Sequence, residues 1–489
     1  MNETPCFPVW RSRLAPLGSR SAQVLRDVRA HTLNQLETAL GSWIPATLFP
    51  KAQAKENSRD RIYCRWRTFW CMVWQGLHPG APGREVVAQL RALFCLEGGK
   101  AISEEDGAYC RAKARLPLGE FRKALSATAL AADRLVPAST LLRGRPVKVV
   151  DGSTLTMSDT PNNKAAYPPL QCPKPNQPCF PILRLVVFFS LLSGAITALA
   201  EGSLAVSELG LFGSLLSQLA TGDIVLGDRG FGCFPLIALL REVLQVDFIG
   251  RTTRRVDGRR RVKKLGRNDW LVHWTKSSCA SPWLTAEQRA SLPAQMTLRA
   301  VKGGCFQKGY RVRQVTVVTT LLDPELYPAQ EILRAYCLRW RLEMCLDDLK
   351  TTLQMEMLRG KSPAMVRKEA LVRLISHNLI RCTAAQSARE HGVALDRISF
   401  KGTLDSMRHF TEAMARTCSR KKKAKLWAEL LQGMANDLVP KRPGRREPRA
   451  VKRKKNKYPT LNKPRHKFQD HPKRNQRRSN ARLRKLGLM

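Results

Sequence analysis

Tyr336-Cys337-Leu338-Arg339-Trp340-Arg341-Leu342-Glu343-Met344-Cys345-Leu346-Asp347-Asp348-Leu349-Lys350 is the stretch on which the reading of this chain turns. Wound as an α-helix at about 100° per residue, it brings Tyr336, Arg339, Glu343 and Lys350 within about 60° of one another. One helix face then carries a carboxylate between two cations and a phenol. Glu343 suits a metal ion, while Arg339 and Lys350 suit the phosphate oxygens of a phosphodiester beside it. The plainer alternative is a solvated face on which Arg339 and Glu343 form an i, i+4 ion pair. The rest of the chain bears on that choice.

With 489 residues the chain is long enough for about three domains and a buried core. Its 84 Lys and Arg against 39 Asp and Glu give a formal charge of +45, which calls for a polyanionic partner. Nucleic acid fits that charge, and a membrane surface is the weaker rival. The start, Met1 to Trp10, lacks the ordered basic and apolar regions of a secretory signal. The apolar run Leu185 to Ala200 is broken by Ser190, Ser193 and Gly194, so it reads as two strands joined by a Ser-Gly turn, not as a membrane span. The 14 cysteines show no Cys-x-x-Cys and no Cys/His spacing of a zinc site. Reduced thiols in a cytosol are expected, including Cys172 and Cys179, which bracket a Pro-rich loop.

From about Thr32 to Ala131 the periodicity is helical, as in Arg59–Gln75 and Gly83–Phe94, and Ser103-Glu104-Glu105-Asp106 marks a helix start. Residues 1–140 are expected as an all-α, basic, DNA-binding domain. After Gly144-Arg145-Pro146 the texture becomes α/β. A short strand Val147–Asp151 is followed by strands Arg184–Ser190 and Ile196–Ala200, a helix Ser207–Ala220, strand Asp223–Gly227, helix Phe234–Val243 and strand Asp247–Gly250. Residues 251–311 look like a β-rich insertion into this core, which spans 145–390. Arg313–Leu321 is a strand, and Tyr327–Met355 one long helix bearing the opening stretch. Shorter helices fill 391–440. The tail, 441–489, has 20 Lys and Arg against Glu447 and Asp470 and is expected to be disordered when free.

Metal-dependent phosphodiester chemistry needs carboxylates converging on one or two Mg²⁺ ions. Asp151 and Asp228 are each placed at a strand's carboxyl end, where α/β sheets gather ligands, and Glu343 lies on the following helix. Each aspartate could equally be a turn residue or a helix cap. Asp159 and Asp223 are rivals, the latter at the wrong end of its strand.

These residues resemble a known family. Tyr336, Arg339, Glu343 and Lys350 match, at full spacing, the Tyr-Arg-Glu-Lys signature of the IS4 (insertion-sequence-four) family of DDE transposases. Val150-Asp151-Gly152-Ser153 and Leu226-Gly227-Asp228-Arg229-Gly230-Phe231 are similar to its two aspartate motifs, and the resemblance spans nearly the whole chain. It implies an RNase H-like catalytic core and cut-and-paste transposition of double-stranded DNA. Asp151, Asp228 and Glu343 would be the catalytic metal ligands for two Mg²⁺, with Mn²⁺ able to substitute. Tyr336, Arg339 and Lys350 would bind DNA phosphate. A homodimer on the inverted-repeat ends and target DNA, in the bacterial cytoplasm at the nucleoid, is also implied. Relatives stack a flipped base on a Trp; Trp270, Trp274 and Trp283 are candidates, each also readable as core. Two other readings stay open: a DNA-binding protein without catalysis, such as a decayed copy or repressor, and a structure-specific nuclease on the same core.

Overall fold

The computed structural model describes residues 36–49, 62–96, 102–169, 180–252, 261–276, 281–304, 314–417, 419–440 and 484. Cys172, Cys179 and, apart from residue 484, the tail past 440 lie outside them. Among the described residues, five α-helices lead: α1 (Leu36–Leu40), α2 (Arg65–Leu77), α3 (Gly83–Leu96), α4 (Gly107–Arg115) and α5 (Leu118–Leu135). α2 is rich in aromatic residues and buried along most of its length. It stops before Pro79-Gly80, where Gly80 takes φ +98°, a conformation that side chains rarely adopt.

Strands and helices then alternate: β1 (Val147–Met157), α6 (Pro161–Ala166), β2 (Ile182–Ser190), β3 (Ile196–Ser203), α7 (Glu208–Gly213), β4 (Ile224–Gly227), α8 (Phe234–Ala238) and β5 (Asp247–Gly250). Next come β6 (Arg261–Gly266), β7 (Asp269–Thr275), α9 (Ala286–Ser291), β8 (Gln295–Gly303) and β9 (Val315–Thr319). The chain closes with α10 (Ala329–Leu338), α11 (Trp340–Asp347), β10 (Met357–Leu358), α12 (Pro363–Glu390), α13 (Phe400–Ala415) and α14 (Arg420–Asn436).

All strands join one sheet in the order β3-β2-β1-β4-β5-β9-β8-β7-β6, with β10 beside β1 off that path. The β3-β2-β1 meander is antiparallel, β1-β4-β5 is parallel, and β5 through β9, β8 and β7 to β6 is antiparallel. Alternation along each strand makes two cores. Val149, Leu226 and Ile249 face a core shared with the N-terminal helices and α12, while Val150, Val225 and Phe248 face α7 and α8. Each of these fully buried side chains contributes about 1.5–3 kcal/mol.

α12 holds the two halves together. Asn378 accepts from the Ile196 amide (2.7 Å) and donates to the Ile196 carbonyl (2.9 Å). Arg373 donates to the carbonyl of Gly76 (3.0 Å), and Lys368 to those of Lys113 (2.9 Å) and Ala114 (2.8 Å). The expected insertion strands β6, β7 and β8 extend the core sheet through β9. Arg299, 0% exposed, ties them in. It meets Asp269 with two bonds (2.9 and 2.6 Å) and donates to the Tyr327 carbonyl (2.7 Å) ahead of α10.

Several local expectations are corrected. Val147–Asp151 is no short strand: β1 has 11 residues, because β2 pairs with it from Lys148 to Thr156 and β10 takes its end. Asp151 therefore lies inside a strand and not at its end. The expected helix Tyr327–Met355 is two helices meeting at Arg339, followed by a π-helical turn, Asp348–Thr352. The helix expected over Ser207–Ala220 ends at Gly213 and resumes as a 3₁₀ turn, Leu216–Gln218. Among the described residues, Cys64, Cys71, Cys95, Cys110, Cys233, Cys345 and Cys382 carry free thiols.

Candidate active site

The parallel register of β1 and β4 sets the site. Their last pair is Val149 with Leu226, and Asp151 and Asp228 each stand two residues beyond it. Both aspartates thus reach the same height, just past the end of the parallel β1–β4 pairing. Alternation also puts both on one face, that of Val149 and Leu226. α11 packs on that face through Cys345, and the π-turn after it through Leu349. Glu343 is in the first turn of α11, its side chain 41% exposed.

Arg339 sits at the junction of α10 and α11 with helical angles, φ −51° and ψ −32°. Its guanidinium donates to Glu343 at 2.9 Å and lies 5.9 Å from the Tyr336 ring centre. The i, i+4 ion pair is therefore present, and it sits beside the aspartates.

Burial pushes the Asp151 carboxyl up to about 6, and the charges of Asp228 and Glu343 push the same way. The Gly152 amide, donating to Asp151 Oδ1 at 2.8 Å, and the Arg339 cation oppose them. Asp151 thus feels both of the other acids. Burial also raises the Tyr336 phenol against the pull of Arg339 and Arg251, with Asp228 adding to the rise. Desolvation works against the charge on Arg339, but Tyr336, Glu343 and Asp151 hold the guanidinium protonated, its pKa above the ordinary value. Five of the six expected site residues are gathered here. The sixth, Lys350, is half-buried in the π-turn, whose wider winding departs from 100° per residue, and no hydrogen bond or ion pair to the acids is found among the described residues.

Among the described residues, no group of three or more His, Cys, Asp and Glu side chains forms a ready metal-binding cluster. The donor chemistry nevertheless fits a hard divalent cation. The charges of Asp228 and Glu343 reach Asp151, and burial first, then those charges, favours its protonated form, which a bound cation would reverse.

The rivals have structural roles. Asp223 bonds Lys148 at 2.6 Å and accepts from the Ala220 amide, and Asp159 pairs with Lys164 at 2.7 Å. Trp270 and Trp274 are buried in the second core at 7% and 2% exposure, and Trp283 packs against it. One residue escaped sequence reasoning. β4 and β5 pair in parallel up to Gly227 with Gly250, so the row Asp151, Asp228 continues to Arg251, whose charge reaches Tyr336. Only the register between two distant strands reveals it.

A family model described as the transposase DDE domain matches residues 142–379. Transposase InsG for insertion sequence element IS4, from Escherichia coli (strain K12), is 26% identical over 448 residues, covering 89% of this chain and 96% of that protein. A cryo-EM structure of a piggyBac transposase synaptic complex with hairpin DNA is similar at 12% identity, covering 86% of each chain with a TM-score of 0.35.

Proposed function

Since the chain belongs to the IS4 family of DDE transposases, we propose that it moves an insertion sequence by cut-and-paste transposition. The reaction would hydrolyse the phosphodiester at each inverted-repeat end and transfer the freed 3′-OH into target DNA. The observation that carries this reading is the shared height and face of Asp151 and Asp228, with the Glu343 charge reaching Asp151. The strand order β3-β2-β1-β4-β5, antiparallel then parallel, supports an RNase H-like core.

Asp151, Asp228 and Glu343 would hold Mg²⁺ (two ions, replaceable by Mn²⁺), which when bound supplies Lewis-acid activation of the attacking oxygen and screens the phosphate charge. Arg339 holds the scissile phosphate, exchanging its bond to Glu343 for phosphate oxygens in a bidentate grip. Tyr336 orients Arg339 from below, and Lys350 and Arg251 hold flanking phosphates. The buried wall around Asp151 keeps water away from its carboxylate. The working form is a homodimer on double-stranded DNA in the bacterial cytoplasm, nucleoid-associated. No helix among the described residues is long and apolar enough to cross a membrane.

Purified protein and its Glu343→Ala variant are incubated with the DNA flanking the gene, with Mg²⁺ and with EDTA. The wild type cuts at the repeat ends only with metal, then joins the 3′ ends to target. The variant loses cutting by at least a thousandfold (about 4 kcal/mol) and keeps its DNA affinity. Binding without cuts by either protein would leave a repressor or decayed copy, and cuts without joining a nuclease.

A further inference from the structure

Among the described residues, two buried serine hydroxyls have no hydrogen-bond partner, those of Ser153 and Ser376. A hydroxyl buried in that state is costly, and each such case calls for an explanation. Ser376 has one in the tight crossing of α2 and α12, where its side chain sits against Gly76. Packing offers none for Ser153. It lies on β1 two residues past Asp151, and the β1–β2 register runs unbroken through both, with Asp151 opposite Val187 and Ser153 opposite Leu185. Val149, Leu155, Val187 and Leu185 all belong to one core, so Ser153 shares the face of the acids. Arg339 Nε is also buried without a partner, but the phosphate proposed for its guanidinium accounts for it. Ser153 is left over.

Asp151 is in turn short of donors. Its Oδ1 accepts from the Gly152 amide, and among the described residues it has no other hydrogen bond. A carboxylate has about four lone-pair sites, and one that ligates a cation keeps its orientation when hydrogen bonds hold those the cation leaves free. We propose that Ser153 is a positioning residue of the carboxylate site: in the cation-loaded protein its hydroxyl donates to Asp151 and fixes the direction that carboxylate faces. The α-carbons of residues two apart on a strand are about 6.7 Å apart. A serine and an aspartate leaning toward each other on one face close that gap with an O–H···O⁻ bond of about 2.6 Å. The serine reaches it by rotating about one bond between staggered wells, with no shift of the backbone. In the cation-free fold the same hydroxyl is a donor held in reserve. The Glu208 carboxylate cannot take this part, because it is seated against Gly152, which alternates to the opposite face of β1.

The inference rests on the proposed metal-binding carboxylates, and its test is separable from them. Free Mn²⁺ is followed by electron paramagnetic resonance as the full-length wild type and its Ser153→Ala, Ser153→Thr, Ser153→Val and Asp151→Asn variants take it up, and each protein is also melted in EDTA. Thr and Val have nearly the same shape, so any crowding cancels between them and the hydroxyl alone differs. Ser153→Ala binds Mn²⁺ about tenfold more weakly than the wild type. It melts no lower in EDTA, because the hydroxyl it lacks had no partner there. Ser153→Thr binds more tightly than Ser153→Val by a similar factor. Equal affinity of wild type and Ser153→Ala, or of Ser153→Thr and Ser153→Val, overturns the inference. A lower melting temperature of Ser153→Ala in EDTA overturns it too, since the hydroxyl would then already be engaged in the cation-free fold. If Asp151→Asn binds as tightly as the wild type, the ions sit elsewhere and the carboxylate reading falls, taking this inference with it. Weak binding by Asp151→Asn with no change in Ser153→Ala leaves that reading standing and removes only the role of Ser153.

Discussion

His377, in the middle of α12, is 0% exposed, and its ring has no hydrogen-bond partner beyond the neighbouring Asn378 side chain, which it meets with poor geometry. It lies between the rings of Phe189 (6.4 Å) and Phe400 (5.1 Å). Burial, aided by the Arg381 cation, pulls its pKa down to about 3, so the ring stays neutral in the fold while the unfolded chain protonates below about 6.5. A depressed folded pKa means that the contribution to stability is present above about 6.5 and is lost as pH falls toward 3. Poorly partnered, buried ring nitrogens are also expensive at neutral pH. His377→Leu should therefore stabilise the protein by about 1 kcal/mol at pH 7, and by more at pH 5. Melting curves at both values decide it, and a gain that shrinks toward pH 5 would sink the argument.

Where α2 crosses α12, backbone approach replaces side-chain filling. A β-carbon on Gly76 would stand 2.1 Å from Ser376 Oγ and 3.0 Å from Val372 Cγ1. Gly76→Ala should cost about 2 kcal/mol through overpacking. Adding Ser376→Gly should recover much of that loss, because Ser376 Oγ is itself buried without a partner. A denaturant series on both variants checks the pair. Such crossings are invisible in sequence, where Gly76 is one more glycine before a break. The same limit decided what was legible at the site. Asp228 in Gly-Asp-Arg-Gly and the spacing from Tyr336 to Glu343 are local patterns, so three side chains of one face and two acids could be named in advance. Arg251 and the true length of β1 depend on pairing between strands tens of residues apart. The π-turn that carries Lys350 away from the expected winding depends on how Leu349 and Leu353 enter the core.

Across the whole molecule, the excess of positive charge divides into two uses. Some cations are internal fastenings: Arg299 on Asp269, and Arg145 and Arg241 both on Asp247, at 2.6 and 2.9 Å. Others fall in residues 441–489, which carry 20 Lys and Arg against Glu447 and Asp470. The segment bearing Glu343 belongs among the fastened parts. At its start, Glu331 on α10 accepts from the Leu142 amide just ahead of β1. At its finish, β10 pairs with Thr156 and Met157 at the other end of that same strand. Mechanically this is a beam supported at both ends, not a cantilever, and the glutamate rides near mid-span. Such a beam should not fray. Amides of 340–349 should exchange with deuterium only when the sheet as a whole opens, sharing the protection of β1 and losing it at the same denaturant concentration. Exchange at a lower concentration would mean that one support gives way first.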